Sequence, residues 1–180
     1  HRSLYSSNYS RNAKSPQGCA RVEVMSGNSW YTKLLFSSAI TQGAIYVIRP
    51  MMTYRALELD ASATTIGLIA AVYALFPVLL ALYFGRLVGS VGEGKFLFAG
   101  PLFIGVSAII LLSANSLAIL AIGAALSGLA HLACMVGGQT MIALKSPTNK
   151  YEEHFGRYTF SASLGQMLGP ILATLVAGST

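Results

Sequence analysis

Ser38, Gln42, Tyr46, Arg49 and Thr53 recur at steps of three or four residues through a stretch that is otherwise apolar. At about 100° per residue they fall within about 80° of one another on a helical wheel. Such a stripe of guanidinium, phenol, amide and hydroxyl groups can hold an anionic or carbonyl-bearing small molecule by hydrogen bonds. An Arg at the centre of a membrane span costs about 2.5–3.5 kcal/mol on insertion scales, so Arg49 should face a water-filled cavity. The alternative is that Arg49 snorkels to the outer headgroups, with Arg55 doing likewise. His131, Gln139 and Gln166 are further candidates for contacting substrate. Their plainer reading is hydrogen bonding between helices, worth about 0.6 kcal/mol each. None of these positions forms a catalytic arrangement, since there is no Ser-His-Asp order, metal cluster or phosphate loop. Neither an enzyme nor a resident metal or cofactor is expected.

The elements that must carry these residues are five apolar stretches, at 34–54, 66–84, 96–114, 117–142 and 158–177. A hydrocarbon core of about 30 Å takes roughly 20 helical residues to cross, and each stretch has about that length. Hydrophobic residues make up 54% of the chain and charged residues 10%, against about 25% charged in an ordinary soluble domain. The acidic residues Glu23, Glu58, Asp60, Glu93, Glu152 and Glu153 all fall outside the stretches. The predicted fold class is all-α: a polytopic transmembrane helical bundle in a lipid bilayer.

A net charge of +6 would point to nucleic acid in a soluble protein, but here membrane topology explains it better, and no nucleic-acid partner is expected. With the N-terminus inside, ten Lys and Arg residues lie on the cytoplasmic side and only Arg49 and Arg55 outside. This bias predicts an integral protein of the cell membrane, plasma or inner, with a cytoplasmic N-terminus. Residues 1–24 are rich in Ser, Asn and Arg with no apolar run, and read as a disordered leader or an artefact ahead of Met25. Residues 25–180 read as an incomplete transmembrane domain, because the fifth stretch ends three residues before the terminus. Cys19 and Cys134 have no metal-ligand spacing and imply no disulfide framework.

Two signatures narrow the class. Between stretches two and three the chain reads Gly85-Arg86-Leu87-Val88-Gly89-Ser90-Val91-Gly92-Glu93-Gly94-Lys95. This link resembles the Gly-x-Leu-x-Asp-Arg-x-Gly-Arg-Arg loop signature of the major facilitator superfamily. Gly85, Leu87 and Gly92 match, and Lys95 supplies a late basic charge beside Arg86. Gly89 and Ser90 stand where the family has Asp and Arg, which should weaken the family's cytoplasmic charge latch. In stretch five, Gly156, Gly165, Gly169 and Pro170 reproduce a Gly-x8-Gly-x3-Gly-Pro core associated with efflux antiporters. Ser161, Ala162, Gly165, Gly169 and Ala173 share about 120° of that helix, a seam where two backbones can approach closely.

The resemblance implies five helices of a six-helix N-terminal half, with the C-terminal half of the same protein as the missing partner. It implies alternating access for a small-molecule substrate, with export of drugs or metabolites as the leading reading. Uptake of an organic anion or metabolite is the alternative within the class, and a non-transporting helical subunit the alternative outside it. Protons are a possible coupling ion by analogy, yet Ala124 stands where the family's fourth helix carries its Arg. The charge count makes a direct prediction. A reporter inserted between Lys145 and Arg157 should be cytoplasmic, and one fused after Thr180 should be external. Both reporters on one side of the membrane would overturn the five-span topology.

Overall fold

The computed structural model describes residues 29–177, and the leader at 1–24 with its proposed start at Met25 lies outside the described residues. Five helices follow in order: α1 (Ser29–Glu58), α2 (Ala63–Val91), α3 (Glu93–Leu112), α4 (Leu117–Lys145) and α5 (Tyr151–Ala177). A single 3-10 turn at Thr148–Lys150 precedes α5. The chain is all-α, as the apolar pattern predicts. The Ser62 hydroxyl caps α2 by accepting from the Thr65 amide at 3.2 Å, and Ser116 caps α4 through the Ile119 amide at 3.4 Å. Asp60 adopts a left-handed φ of 55°, which lets the chain reverse between α1 and α2.

Most helix ends outrun the apolar stretches, and the glycine-rich link shows what this does. Residues 85–91 are helical, so the expected loop shrinks to a break at Gly92, whose φ is 97°. A glycine inside a helix costs about 1 kcal/mol relative to Ala. Packing offsets it: Val88 is buried in a cluster with Phe96 and Ala133, flanked by Leu87. Gly92 is where a side chain would be strained, and there the helix ends.

Three helices, α2, α3 and α4, are long and apolar enough to cross a membrane. α1 and α5 have the length, 30 and 27 residues, but fall short in apolarity. Their polar residues are the cause: the Ser, Thr, Gln and Arg of the stripe on α1, and Ser161, Ser163, Gln166 and Thr174 on α5. Such helices suit a bilayer where their polar faces meet other helices. The lipid-compatible surface is elsewhere, on residues such as Val78, Leu82, Phe98 and Leu112, all more than two-thirds exposed.

α4 is the hub, and glycine makes it so. A Cβ on Gly128 would collide with the Tyr73 carbonyl oxygen of α2 and lie 3.2 Å from Pro77. A Cβ on Gly137 would come 3.0 Å from Phe96 of α3, and one on Gly138 would strike the Tyr158 ring of α5. α3 answers with Gly100 against Cys134. α1 and α5 meet along the small-residue seam. A Cβ on Gly165 would overlap the Ala39 carbonyl oxygen, and one on Gly169 would sit 2.7 Å from that of Gly43. Ser161 adds a hydrogen bond across it, its hydroxyl donating to the Leu35 carbonyl at 2.6 Å. Gly156 meets nothing within 4 Å, so its place in the motif brings no close approach.

Arg55 does not snorkel. Its Nε and Nη2 donate to the Ala114 carbonyl oxygen at 3.0 and 2.8 Å, while Nη1 pairs with Glu58. The carbonyls at the end of a helix lack intrahelical partners, and Ala114 is fully buried just past α3, so a two-pronged guanidinium satisfies it. This ties the end of α1 to the α3–α4 turn.

The seam gives a paired test. Gly165→Leu should lower the thermal unfolding temperature of the purified chain in detergent, by the equivalent of about 1–3 kcal/mol or more, because the obstacle is backbone. Gly156→Leu, in the same motif but in open space, should leave it unchanged. Equal losses would show that the seam is not the source of the effect.

Candidate functional site

The stripe on α1 passes from buried to exposed along the helix. Ser38 and Gln42 are buried, Tyr46 is half-buried, and Arg49 and Thr53 are exposed. Its upper part meets α2 and α4 in one polar cluster. The Arg49 guanidinium carbon lies 4.8 Å from the centre of the Tyr73 ring and 5.3 Å from that of Tyr46. Both distances are within cation–π range, and the quadrupole of each ring attracts the positive charge. Arg49 is therefore turned onto α2 while one side of it stays open.

Beneath Arg49 the cluster continues inward. The Tyr73 hydroxyl and His131 Nδ1 share a hydrogen bond of 2.8 Å. One turn along α4, Met135 Sδ accepts from Gln42 Nε2 at 2.9 Å. Two buried polar atoms are left without a partner in this cluster, Gln42 Oε1 and His131 Nε2. Leaving such a group unsatisfied costs about 1–3 kcal/mol, so each has unused capacity for a ligand or water. Gln42 also lines a cavity with room for roughly one water, shared with Ser38, Thr41, Pro101, Cys134 and Tyr158.

The structure thus brings together Gln42, Tyr46, Arg49 and His131. Gln139 lies two turns beyond His131 on the same face of α4, half-buried, and its side chain makes no hydrogen bond among the described residues. Gln166, half-buried on α5, likewise stays outside the network. Tyr73 and Met135 are members of the cluster that the sequence alone does not single out. A buried Tyr opposite a His needs a partner for its hydroxyl, and that need was the available signal.

At the other end of the bundle, the link residues form no continuous latch. Gly85 and Gly89 face open space, and the Ser90 hydroxyl donates to the Leu87 carbonyl of its own helix. The carboxylate missing at Gly89 is present four residues on, since Glu93 pairs with Lys145 of α4 at 3.4 Å. Among the described residues no group of His, Cys, Asp and Glu could hold a metal ion.

An all-α bundle of long apolar helices around a small polar cluster defines an integral membrane protein. The model of the Major Facilitator Superfamily matches residues 34–180, and the chain belongs to that family of membrane transporters. The match includes α1 from Leu34 onward and all of α5, the two helices that apolarity alone does not qualify. No curated relative matches the sequence.

The cluster predicts a graded response at Tyr73. Tyr73→Phe keeps the ring beneath Arg49 but leaves His131 with no hydrogen-bond partner, which should destabilise the fold by about 1–3 kcal/mol. Tyr73→Leu removes the cation–π contact as well and should lower the unfolding temperature further. A Phe variant as stable as wild type would show that the Tyr73–His131 bond adds nothing.

Proposed function

We propose that the chain is the first part of an N-terminal transporter half that exports small molecules by alternating access, with the α1–α2–α4 cluster contributing to its substrate site. The observation that carries this reading is a cation held over two aromatic rings, above two buried polar atoms with unused hydrogen-bonding capacity. A bundle made only for packing gains nothing from unsatisfied groups, whereas a site that exchanges water for substrate requires them. Arg49 and His131 Nε2 suit a substrate bearing an anionic or carbonyl group, and Gln42 Oε1 suits a donor on the same molecule. Tyr46 and Tyr73 supply flat apolar surface for its carbon skeleton.

The export direction rests on the fifth-helix glycines. Gly165 and Gly169 belong to the Gly-x3-Gly-Pro core that resembles the motif of efflux antiporters, and they let α5 approach α1 closely. Uptake of an organic anion by the same rocking motion is the second reading, favoured by the unpaired charge of Arg49. Protons are the proposed coupling ion for export. Rocking takes two halves around a midplane site, so the C-terminal half of the same protein is the proposed partner, in the plasma or inner membrane.

Arg49 tests the site. In the complete transporter, Arg49→Lys keeps the charge but loses the planar, bidentate hydrogen bonds and the flat stacking on Tyr73. Arg49→Gln removes the charge too. Both should impair transport, Gln more severely, at surface abundance equal to wild type. A residue that only reaches for headgroups would tolerate Lys without loss. Full transport by Arg49→Gln at normal abundance would remove Arg49 from the site.

A further inference from the structure

α2 and α3 part at the Gly92 break, and each then packs on α4 while the two touch each other little. The result is an open trough between them. Its walls are Phe84, Leu87 and Val91 of α2 and Phe96, Ala99 and Phe103 of α3, spaced at helical intervals. Its floor is Leu126, Leu129, Ala130 and Ala133 of α4. These floor residues lie on the side of α4 roughly opposite His131 and Met135, so the trough is separate from the polar cluster. It encloses about 350 Å³ and is almost wholly apolar, within the size range of small-molecule sites. One charged residue lines it, Lys95, beside the Gly92 break.

The charge at this mouth is unbalanced. Glu93 is already engaged by Lys145 at 3.4 Å. Lys95 and Arg86 are exposed, and neither has an acidic partner among the described residues. Apolar walls ending at one uncompensated cation, Lys95, match the two parts of an anionic lipid.

We propose that this trough is a binding site for an anionic phospholipid, its acyl chain lying along the α2–α3–α4 trough and its phosphate held by Lys95. On the basic-inside orientation the mouth opens at the cytoplasmic leaflet, where anionic lipids collect and basic residues attract them. Phe84, Phe96 and Phe103 give the chain a wall to lie against. Lys95, at the start of α3, holds the headgroup beside the link that joins the two helices. An occupied trough fills the space between α2 and α3, so the lipid braces the pair against α4.

The test uses the chain in nanodiscs of mixed phosphatidylglycerol and phosphatidylcholine, followed by native mass spectrometry of the lipid it retains. Phosphatidylglycerol should be retained about fivefold over phosphatidylcholine for each basic residue engaged. Lys95→Gln should cut that preference by about fivefold without reducing total lipid. Ala99→Trp should block the trough and abolish retention. Phe103→Ser, at an exposed wall position, should weaken retention and serves if the Trp variant does not fold. Glycerol phosphate without acyl chains should fail to compete. Equal retention of the two lipids by wild type, an unchanged preference in Lys95→Gln, or displacement by glycerol phosphate would each overturn the proposal.

Discussion

The structure depends on backbones coming close where no side chain stands between them. Lipid tails are as apolar as leucine, so burial of apolar surface does little to hold membrane helices together. Dispersion and short polar contacts must do it, and both require close approach. Gly128 against the Tyr73 carbonyl, Gly137 against Phe96, and Gly165 and Gly169 against Ala39 and Gly43 are the places where this happens. They make α4 the common neighbour of α2, α3 and α5, and they set α5 against α1. The polar cluster inherits its geometry from these contacts. Gly128 lies three residues before His131, so the crossing that seats α2 on α4 also brings the Tyr73 hydroxyl to His131 Nδ1.

The cluster in turn explains why α1 is polar enough to look unlike a membrane span. Gln42 and Arg49 are costly in hydrocarbon, and each is provided for by a different means. Gln42 is buried against Met135, a weak acceptor that leaves half its amide unused. Arg49 is kept over two rings, which compensate a cation without neutralising it. A carboxylate beside Arg49 would stabilise it more, but it would also spend the charge. Rings leave it available. Arg55 shows the contrast six residues on. There the guanidinium is fully committed to the Ala114 carbonyl and Glu58, and the result is a structural tie.

Much of this was legible in the sequence. Five apolar stretches announced five helices, and their order with two glycine signatures pointed to the family that the chain proves to belong to. The stripe from Ser38 to Thr53 followed from helical periodicity alone, as did the seam on α5. What stayed hidden was partner identity. Periodicity places Tyr73 on a face of α2 but cannot say that His131 is opposite, because that pairing depends on how α2 crosses α4. The same limit hid the partner of Arg55, whose acceptor, Ala114, is 59 residues away on a backbone carbonyl that carries no sequence signal. Helix ends were missed for another reason. Apolarity stops at Phe84, but packing of Val88 against Phe96 and Ala133 carries α2 on to Val91.

That extension has a consequence for the link between α2 and α3. A flexible loop of eleven residues would let the two helices move independently. A single break at Gly92 makes them a stiff hairpin whose opening angle is set by what lies between its arms. Near the break Phe84 meets Phe96 edge to face at 5.8 Å, which ties the two arms to each other. Further along, the arms separate and only α4 spans the gap from beneath. The Glu93–Lys145 pair fastens the α3 arm to the end of α4 at this base, leaving the α2 arm attached by its glycine crossing at Gly128. One arm is therefore clamped at its root and the other pinned near its middle. Any movement of α2 relative to α3 must pivot at Gly92 or bend at Pro77, which lies between the break and Tyr73. The glycine-rich link and the polar cluster are in this way joined by one helix, with Pro77 as a bend point between them.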